Sequence, residues 1–343
     1  MRRRLITILS LMPLSLASAS VSSWSLQFRT GYDSNVLRLS TVEQNSPLSV
    51  TKILGNQSTF DSEYLRLGGR LNWQRRFRAD DTVLRQAVYA YWTDYVHAPA
   101  RGYPSIGWTG DFSWGPYRHV RGRVTWLNHY YLRRYIDRDQ TLDQRVGCYF
   151  SDLDHRLEMT QPVMRRTWIS SGVGFLQRYY SVPFTEFDLD ITYGSFGLHR
   201  DWGRSYRTAL NLTYGWAKNR GLHQTARASR LDRSYHYVEG DLPLLWRRPA
   251  RHIREIGLSV RQEWRYYMAE SSEDVLHSGR SHTDTQGNAW VRVNLAPDWS
   301  LKIQGRVRYR QTHSRYARVE DLKSFHQVLT WVEIAKEFEH DWK

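Results

Sequence analysis

The stretch LKIQGRVRYR, residues 301–310, alternates without a break. Leu301, Ile303, Gly305, Val307 and Tyr309 form one series, and Lys302, Gln304, Arg306, Arg308 and Arg310 the other. Successive side chains of a strand point to opposite faces, so this segment has an apolar face and a cationic face, with like charges about 7 Å apart. A soluble sandwich hides such apolar faces by packing them on one another. The reverse arrangement suits this pattern better: apolar faces toward lipid, charged faces toward a water-filled lumen where neighbouring arginines stay hydrated or pair with carboxylates.

The period of two recurs along the chain. SWSLQFRTGY sets Trp24, Leu26, Phe28, Thr30 and Tyr32 against Ser25, Gln27, Arg29 and Gly31. YLRLGGRLNWQRRF sets Leu65, Leu67, Leu71, Trp73 and Phe77 against Arg66, Arg70, Asn72, Gln74 and Arg76. SYRTALNLTYGW, EIGLSVRQEWRYYM and TDTQGNAWVRVNL read the same way, with Arg207, Arg261, Arg265 and Arg292 on their polar faces. These runs last about 10 to 14 residues, longer than the 5 or 6 usual in soluble sheets. Trp and Tyr gather near the ends of the apolar faces, as membrane–water boundaries favour. TVLRQAVYAYWTDYV and HVRGRVTWLNHYYL are apolar on both faces, which leaves their registers open.

The connections alternate in size. Short breaks fall at RADD, WGPY, VMRR, RDWGRS, RRPAR and APDW; longer polar stretches cover about 41–60, 97–104, 133–148, 181–187, 218–232, 269–281 and 313–323. Short turns at one end and long loops at the other describe a transmembrane barrel. The expected fold is all-β: a closed antiparallel transmembrane β-barrel of about 14 strands, give or take two, with short periplasmic turns and long extracellular loops. Closure also removes the sheet edges that lipid does not tolerate.

The chain opens with MRRRLITILSLMPLSLASAS: three arginines, an apolar run from Leu5 to Leu16, then Ala17-Ser18-Ala19. This is the layout of a secretory signal peptide, with an apolar run too short to span a bilayer as a helix. The expected organisation is a leader over 1–19, cleaved near Ala19, and one barrel domain over 20–343. No later segment resembles a transmembrane helix, and the mean hydropathy is −0.64. Cys148 is the single cysteine. It excludes an intramolecular disulfide and a multi-cysteine metal site, and no cysteine follows the cleavage point to carry a lipid anchor. The formal charge of +15 favours anionic partners. Export removes nucleic acid from the candidates, leaving lipopolysaccharide and acidic glycans.

The whole mature chain resembles Gram-negative outer-membrane β-barrels of the porin-like kind, which implies an outer-membrane location, contact with lipid and lipopolysaccharide, and insertion by the barrel assembly machinery. GYDSNVLRLS, residues 31–40, resembles the opening strand of barrels related to the surface lipoprotein assembly modulators; their helical-repeat periplasmic domain has no counterpart in this sequence. FHQVLTWVEIAKEF resembles a terminal assembly strand with Phe338 as a late aromatic, although EHDWK follows and Trp342 is an alternative.

The candidate site is the inward basic series Arg29, Arg66, Arg70, Arg76, Arg207, Arg261, Arg265, Arg292, Lys302, Arg306, Arg308 and Arg310. A pore lined this way attracts anions and repels cations, and the planar guanidinium suits carboxylates and sulfates. In TEFDLDI, Glu186, Asp188 and Asp190 share one face opposite Phe187, Leu189 and Ile191. Facing a basic wall, they would set a transverse field across a constriction. DRDQTLD offers Asp137, Asp139 and Asp143 but lacks the glycine turn and closing acid of a calcium loop. No HExxH and no GxSxG occurs, so neither a metal nor another cofactor is expected; His129, His155 and His199 are the candidate bases if a triad forms only in space. The leading expectation is a non-enzymatic channel for anionic solutes such as acidic oligosaccharides or an exported polysaccharide. The alternatives are an export or assembly barrel for surface proteins that works with partners, and an outer-membrane lipid or peptide hydrolase.

Overall fold

The computed structural model describes residues 20–46, 53–54, 57, 59–77, 82–137, 145–222, 231–248, 250 and 252–339. The expected leader, Trp342 as terminal aromatic, and Asp139 and Asp143 lie outside the described residues. Within them the alternating segments become fourteen strands. In order these are β1 (Ser20–Asp33), β2 (Ser62–Arg76), β3 (Thr82–Tyr95), β4 (Tyr103–Trp114), β5 (His119–Ile136), β6 (Arg145–Met164) and β7 (Thr167–Tyr180). They continue with β8 (Leu189–Trp202), β9 (Tyr206–Asn219), β10 (Tyr235–Arg247), β11 (Ile253–Tyr267), β12 (Ser281–Ala296), β13 (Trp299–His313) and β14 (Phe325–Glu339). Each strand pairs antiparallel with its sequence neighbours, and β1 pairs with β14, so the sheet closes. The even strand number puts the start of β1 and the end of β14 at the rim of short turns.

Parity assigns the faces. Leu26, Phe28, Leu67, Leu71, Val173, Leu210, Leu258, Val260, Ile303 and Val307 are exposed on the outside. At the short-turn rim Trp24 stacks on Phe338 with ring centroids 3.8 Å apart, and Tyr206 stacks on Trp246 at 5.8 Å. Trp92, Tyr214, Trp216, Tyr266 and Tyr309 are exposed on the outside toward the other rim. An apolar belt between two aromatic girdles is the surface that a bilayer selects. The protein is a closed 14-strand antiparallel transmembrane β-barrel.

The longest strands are β5, of 18 residues, and β6, of 20. A tilted spanning strand needs only about 9–11. The stretch expected as a loop over 133–148 is strand at both of its ends, continuing to Ile136 and resuming at Arg145. The β5–β6 register shifts between Leu127 and Tyr130 and again between Tyr131 and Arg133. Each irregularity flips the face of later side chains, which is why HVRGRVTWLNHYYL shows no clean period.

On the inner wall large rings lie over glycines directly across the ladder. Gly68 faces Tyr91, Gly107 faces Tyr89, Gly174 faces Tyr193, Gly215 faces Tyr237 and Gly257 faces Trp290. In every pair a Cβ on the glycine would run into the ring. The glycine lets the ring lie flat along the wall and cover backbone. Gly257→Val should therefore swing Trp290 off the wall, whose indole donates to Glu255 at 2.8 Å. A destabilisation of about 1–3 kcal/mol is expected, read as a lower melting temperature of the gel-shifted barrel in detergent.

The connection after β1 does not extend away from the barrel. Val36, Leu37, Leu39, Ile53 and Leu54 are almost fully buried against Tyr64, Tyr95 and Trp331, which face inward from β2, β3 and β14. A short helix, α1 (Thr41–Gln44), starts there with a capping box: the Glu43 amide donates to Ser40 Oγ at 3.2 Å, and the Ser40 amide to Glu43 Oε2 at 3.1 Å. It packs against α2 (Ala317–Lys323), in the connection between β13 and β14. The long-loop mouth thus carries a folded inner plug.

Candidate functional site

All twelve basic residues singled out from the sequence lie on the inward face, because each shares parity with a pairing partner that also points inward. Six hold carboxylates. Arg29 pairs with Glu333, Arg207 with Asp201 at 2.6 Å, and Arg261 with Glu239. Arg265 reaches Glu263 at 2.8 Å, and Arg308 and Arg310 both reach Asp284 at 2.7 Å. These partners sit on the same or an adjacent strand, not across the bore, so they knit the wall together.

Among the described residues, the other six have no carboxylate at ion-pair distance. Arg66 lies over the Tyr91 ring at 4.0 Å, Arg70 donates to Asn72 at 2.7 Å, and Arg306 donates to Asn288 at 2.7 Å. Lys302 sits over Trp290 at 5.4 Å. Arg292 is the cross-strand partner of Lys302, and Arg76 ends β2 at the short-turn rim. One register row runs Arg66, Arg29, Glu333, Lys302, Arg292, Glu255 across β2, β1, β14, β13, β12 and β11. Four cations share that row with two carboxylates, Glu333 and Glu255. This contiguous wall carries a net positive charge.

Glu186, Asp188 and Asp190 do not form the expected constriction. Glu186 is buried in a single 3-10 turn, Thr185–Phe187, and Asp188 accepts the Tyr180 amide at 2.7 Å. Burial pushes the Asp188 carboxyl up to about 6. Asp190 points outward, bonded to Arg220 and to the Tyr179 hydroxyl at 3.2 Å. Leu189 and Ile191, expected on the lipid side, point inward and are buried with Ala217 and Tyr235. Above the membrane belt the meaning of the two faces is reversed: water lies outside and packed loop lies within.

The three candidate bases are scattered. His155 faces outward, His129 stacks on Tyr149 with ring centroids 4.2 Å apart, and His199 faces inward with Nε2 3.1 Å from Ser170 Oγ. Among the described residues no group of three His, Cys, Asp or Glu is placed to hold a metal ion.

The plug adds residues that the strand pattern did not single out. Glu43 is buried against Arg133 of β5 and takes two of its guanidinium nitrogens. Lys323 of α2 and Arg280, just before β12, lie close by; burial, Arg133 and Arg280 push the Lys323 amine down to about 8, and Glu43 opposes them. The GYDSNV motif forms the bend into the plug. Asp33 accepts the Asn35 amide at 3.0 Å and Gln327 Nε2 at 2.7 Å, while the Asn35 side chain bonds both backbone groups of Leu39. The Ser40-Thr-Val-Glu43 spacing was the sequence signal for the helix start.

No family model matches the sequence, and no curated protein matches it. Solved structures do match in chain path. The outer membrane channel DcaP of Acinetobacter baumannii is 9% identical, with 94% of this chain and 99% of that chain covered and a TM-score of 0.47. A bacterial polysaccharide outer membrane secretin is 10% identical, with 92% and 98% covered and a TM-score of 0.46. An anion-selective porin from Comamonas acidovorans is 9% identical, with 94% and 100% covered and a TM-score of 0.39.

Proposed function

We propose that the protein is an outer-membrane channel that passes anionic solutes, with acidic oligosaccharides the best-fitting class. The observation that carries this reading is the wall of Arg66, Arg70, Arg292, Lys302 and Arg306, which has no carboxylate at ion-pair distance among the described residues. A basic lining in a narrow aqueous bore holds a positive potential and concentrates anions. Rings lie beside these charges: Tyr91 under Arg66, Trp290 under Lys302, and Trp331 5.5 Å from both Arg29 and Arg306. A flat ring takes the apolar face of a sugar while the fork of an adjacent guanidinium takes its carboxylate. The Arg–acid pairs fix the bore, and no reaction is assigned to it.

Purified protein in planar bilayers under a potassium chloride gradient is expected to give an anion-selective reversal potential. The preference should strengthen at low salt, because the Debye length grows from about 8 Å at physiological ionic strength to about 30 Å at 0.01 M. A cation-selective reversal potential would overturn the reading.

A further inference from the structure

The plug carries a carboxylate into the most basic part of the mouth. Glu43 is held at the N-terminal turn of α1 by its own capping box, so it belongs to the plug. Arg133, its ion-pair partner, belongs to the wall. Lys323 belongs to α2, and Arg280 closes the connection between β11 and β12. Glu43 touches Arg133, and the Lys323 amine has Arg133 and Arg280 as repelling neighbours and Glu43 as an attracting one.

It does not satisfy them all. Arg280 is only 6% exposed, its Nε has no hydrogen-bond partner, and its guanidinium lies over the Tyr267 ring at 3.8 Å. Lys323 forms no ion pair among the described residues, and its amine is pushed down to about 8 by burial first and then by Arg133 and Arg280. Asp284 is already held by Arg308 and Arg310, and Glu263 by Arg265. A buried guanidinium N–H without an acceptor, here Nε of Arg280, carries a desolvation penalty that an incoming oxyanion would remove.

We propose that Arg133, Arg280 and Lys323 form a carboxylate-binding site for the transported solute, that Glu43 occupies it in the resting channel as an internal stand-in, and that a solute carboxylate displaces Glu43 and releases the plug. This rests on the channel reading and deepens it. A uronic acid presents the same group as Glu43. Bound to the three cations, it makes the ion pair with Arg133 and gives Nε of Arg280 the acceptor it lacks. The exchange favours opening because the oligosaccharide binds the plug-out state and not the plug-in state. Neutral sugars have no such differential affinity and leave the equilibrium where it is.

The test is single-channel recording in planar bilayers, with trigalacturonate or maltotriose added on the long-loop side. Heat-modifiable gel mobility is checked for every variant. For the wild type, occupancy of the high-conductance state should rise with trigalacturonate and stay unchanged with maltotriose. E43Q should occupy that state at least tenfold more without ligand. R280Q/K323Q should need at least tenfold more trigalacturonate for the same opening. If E43Q does not assemble, R280Q/K323Q decides alone. A variant with residues 36–58 replaced by a glycine–serine linker tests the underlying reading separately. If it is anion-selective and open while trigalacturonate acts equally on wild type and R280Q/K323Q, the inference is overturned and the channel stands. If it is silent or cation-selective, the channel reading fails, and the inference with it.

Discussion

The R308E/R310E double variant should fail to assemble, losing the fast-migrating form that an unboiled barrel gives on a gel. Asp284 is 2% exposed, and both arginines hold it. Arg308 donates from Nε and a terminal nitrogen at 2.9 and 2.7 Å, and Arg310 from Nε at 2.8 Å. The substitutions leave that carboxylate buried beside two more. Removing one partner of a buried pair already costs about 3–5 kcal/mol. Two such losses plus repulsion approach the whole stability of an ordinary domain, roughly 5–15 kcal/mol. R306E on the same face is the control, since Arg306 holds only Asn288 through a hydrogen bond, and it should assemble. I303E/V307E tests the other face. Both side chains are more than half exposed on the outside. Lysine or arginine at a lipid-facing midplane position costs about 2–4 kcal/mol and acids cost less, so this pair should weaken the barrel more than R306E and less than R308E/R310E. Equal loss in R306E and R308E/R310E would remove the Asp284 argument.

The second large effect is on selectivity. R292E/K302E/R306E reverses the charge at three neighbouring wall positions on β12 and β13, none of which holds a carboxylate at ion-pair distance among the described residues. Assembly should therefore survive. The Arg29–Glu333 pair beside them remains. The local potential changes sign, so the reversal potential under a salt gradient should move from anion to cation preference, most clearly below physiological ionic strength. A correctly assembled triple variant with unchanged anion preference would mean that ions follow another part of the bore. R207E is the matched contrast: it breaks the pair with Asp201 and should lower stability first.

The strand pattern was legible because lipid and water impose opposite demands on alternate residues over the whole membrane depth. Leu301 through Arg310 obey that rule, and their faces are those read from the sequence. The alternation of short turns and long connections was legible for the same reason, since turn residues interrupt the period. The rule fails where the environment changes. Leu189 and Ile191 read as lipid-facing, but they stand at the loop end of β8, where the interior is packed and the exterior is wet. Val36, Leu37 and Leu39 have no periodic partner, so nothing local marks them as plug residues. The pairing of Arg308 with Asp284 joins residues 24 apart in sequence, on neighbouring strands. Alternation gives the face of each but not its partner, which depends on the register of β12 against β13. The second bulge in β5 similarly hid Arg133, the wall residue that Glu43 meets.

The seam between β1 and β14 has a kinetic meaning. Arg29 and Glu333 are separated by 304 positions in the chain, yet they are the two halves of one rung. Every other strand pair can zip as soon as its hairpin exists, whereas this one waits for the final strand. Loop-closure entropy grows only slowly with length, so the wait is set less by entropy than by how long two unpaired edges survive. During that interval the chain is an open, strongly non-local sheet, slow to complete and ready to pair with a second copy of itself. Trp24 and Phe338, stacked across the seam, act as a clasp that engages only when the circle is complete. Destabilising substitutions at the clasp should therefore lower the yield of closed barrels more than the thermal resistance of those that do close.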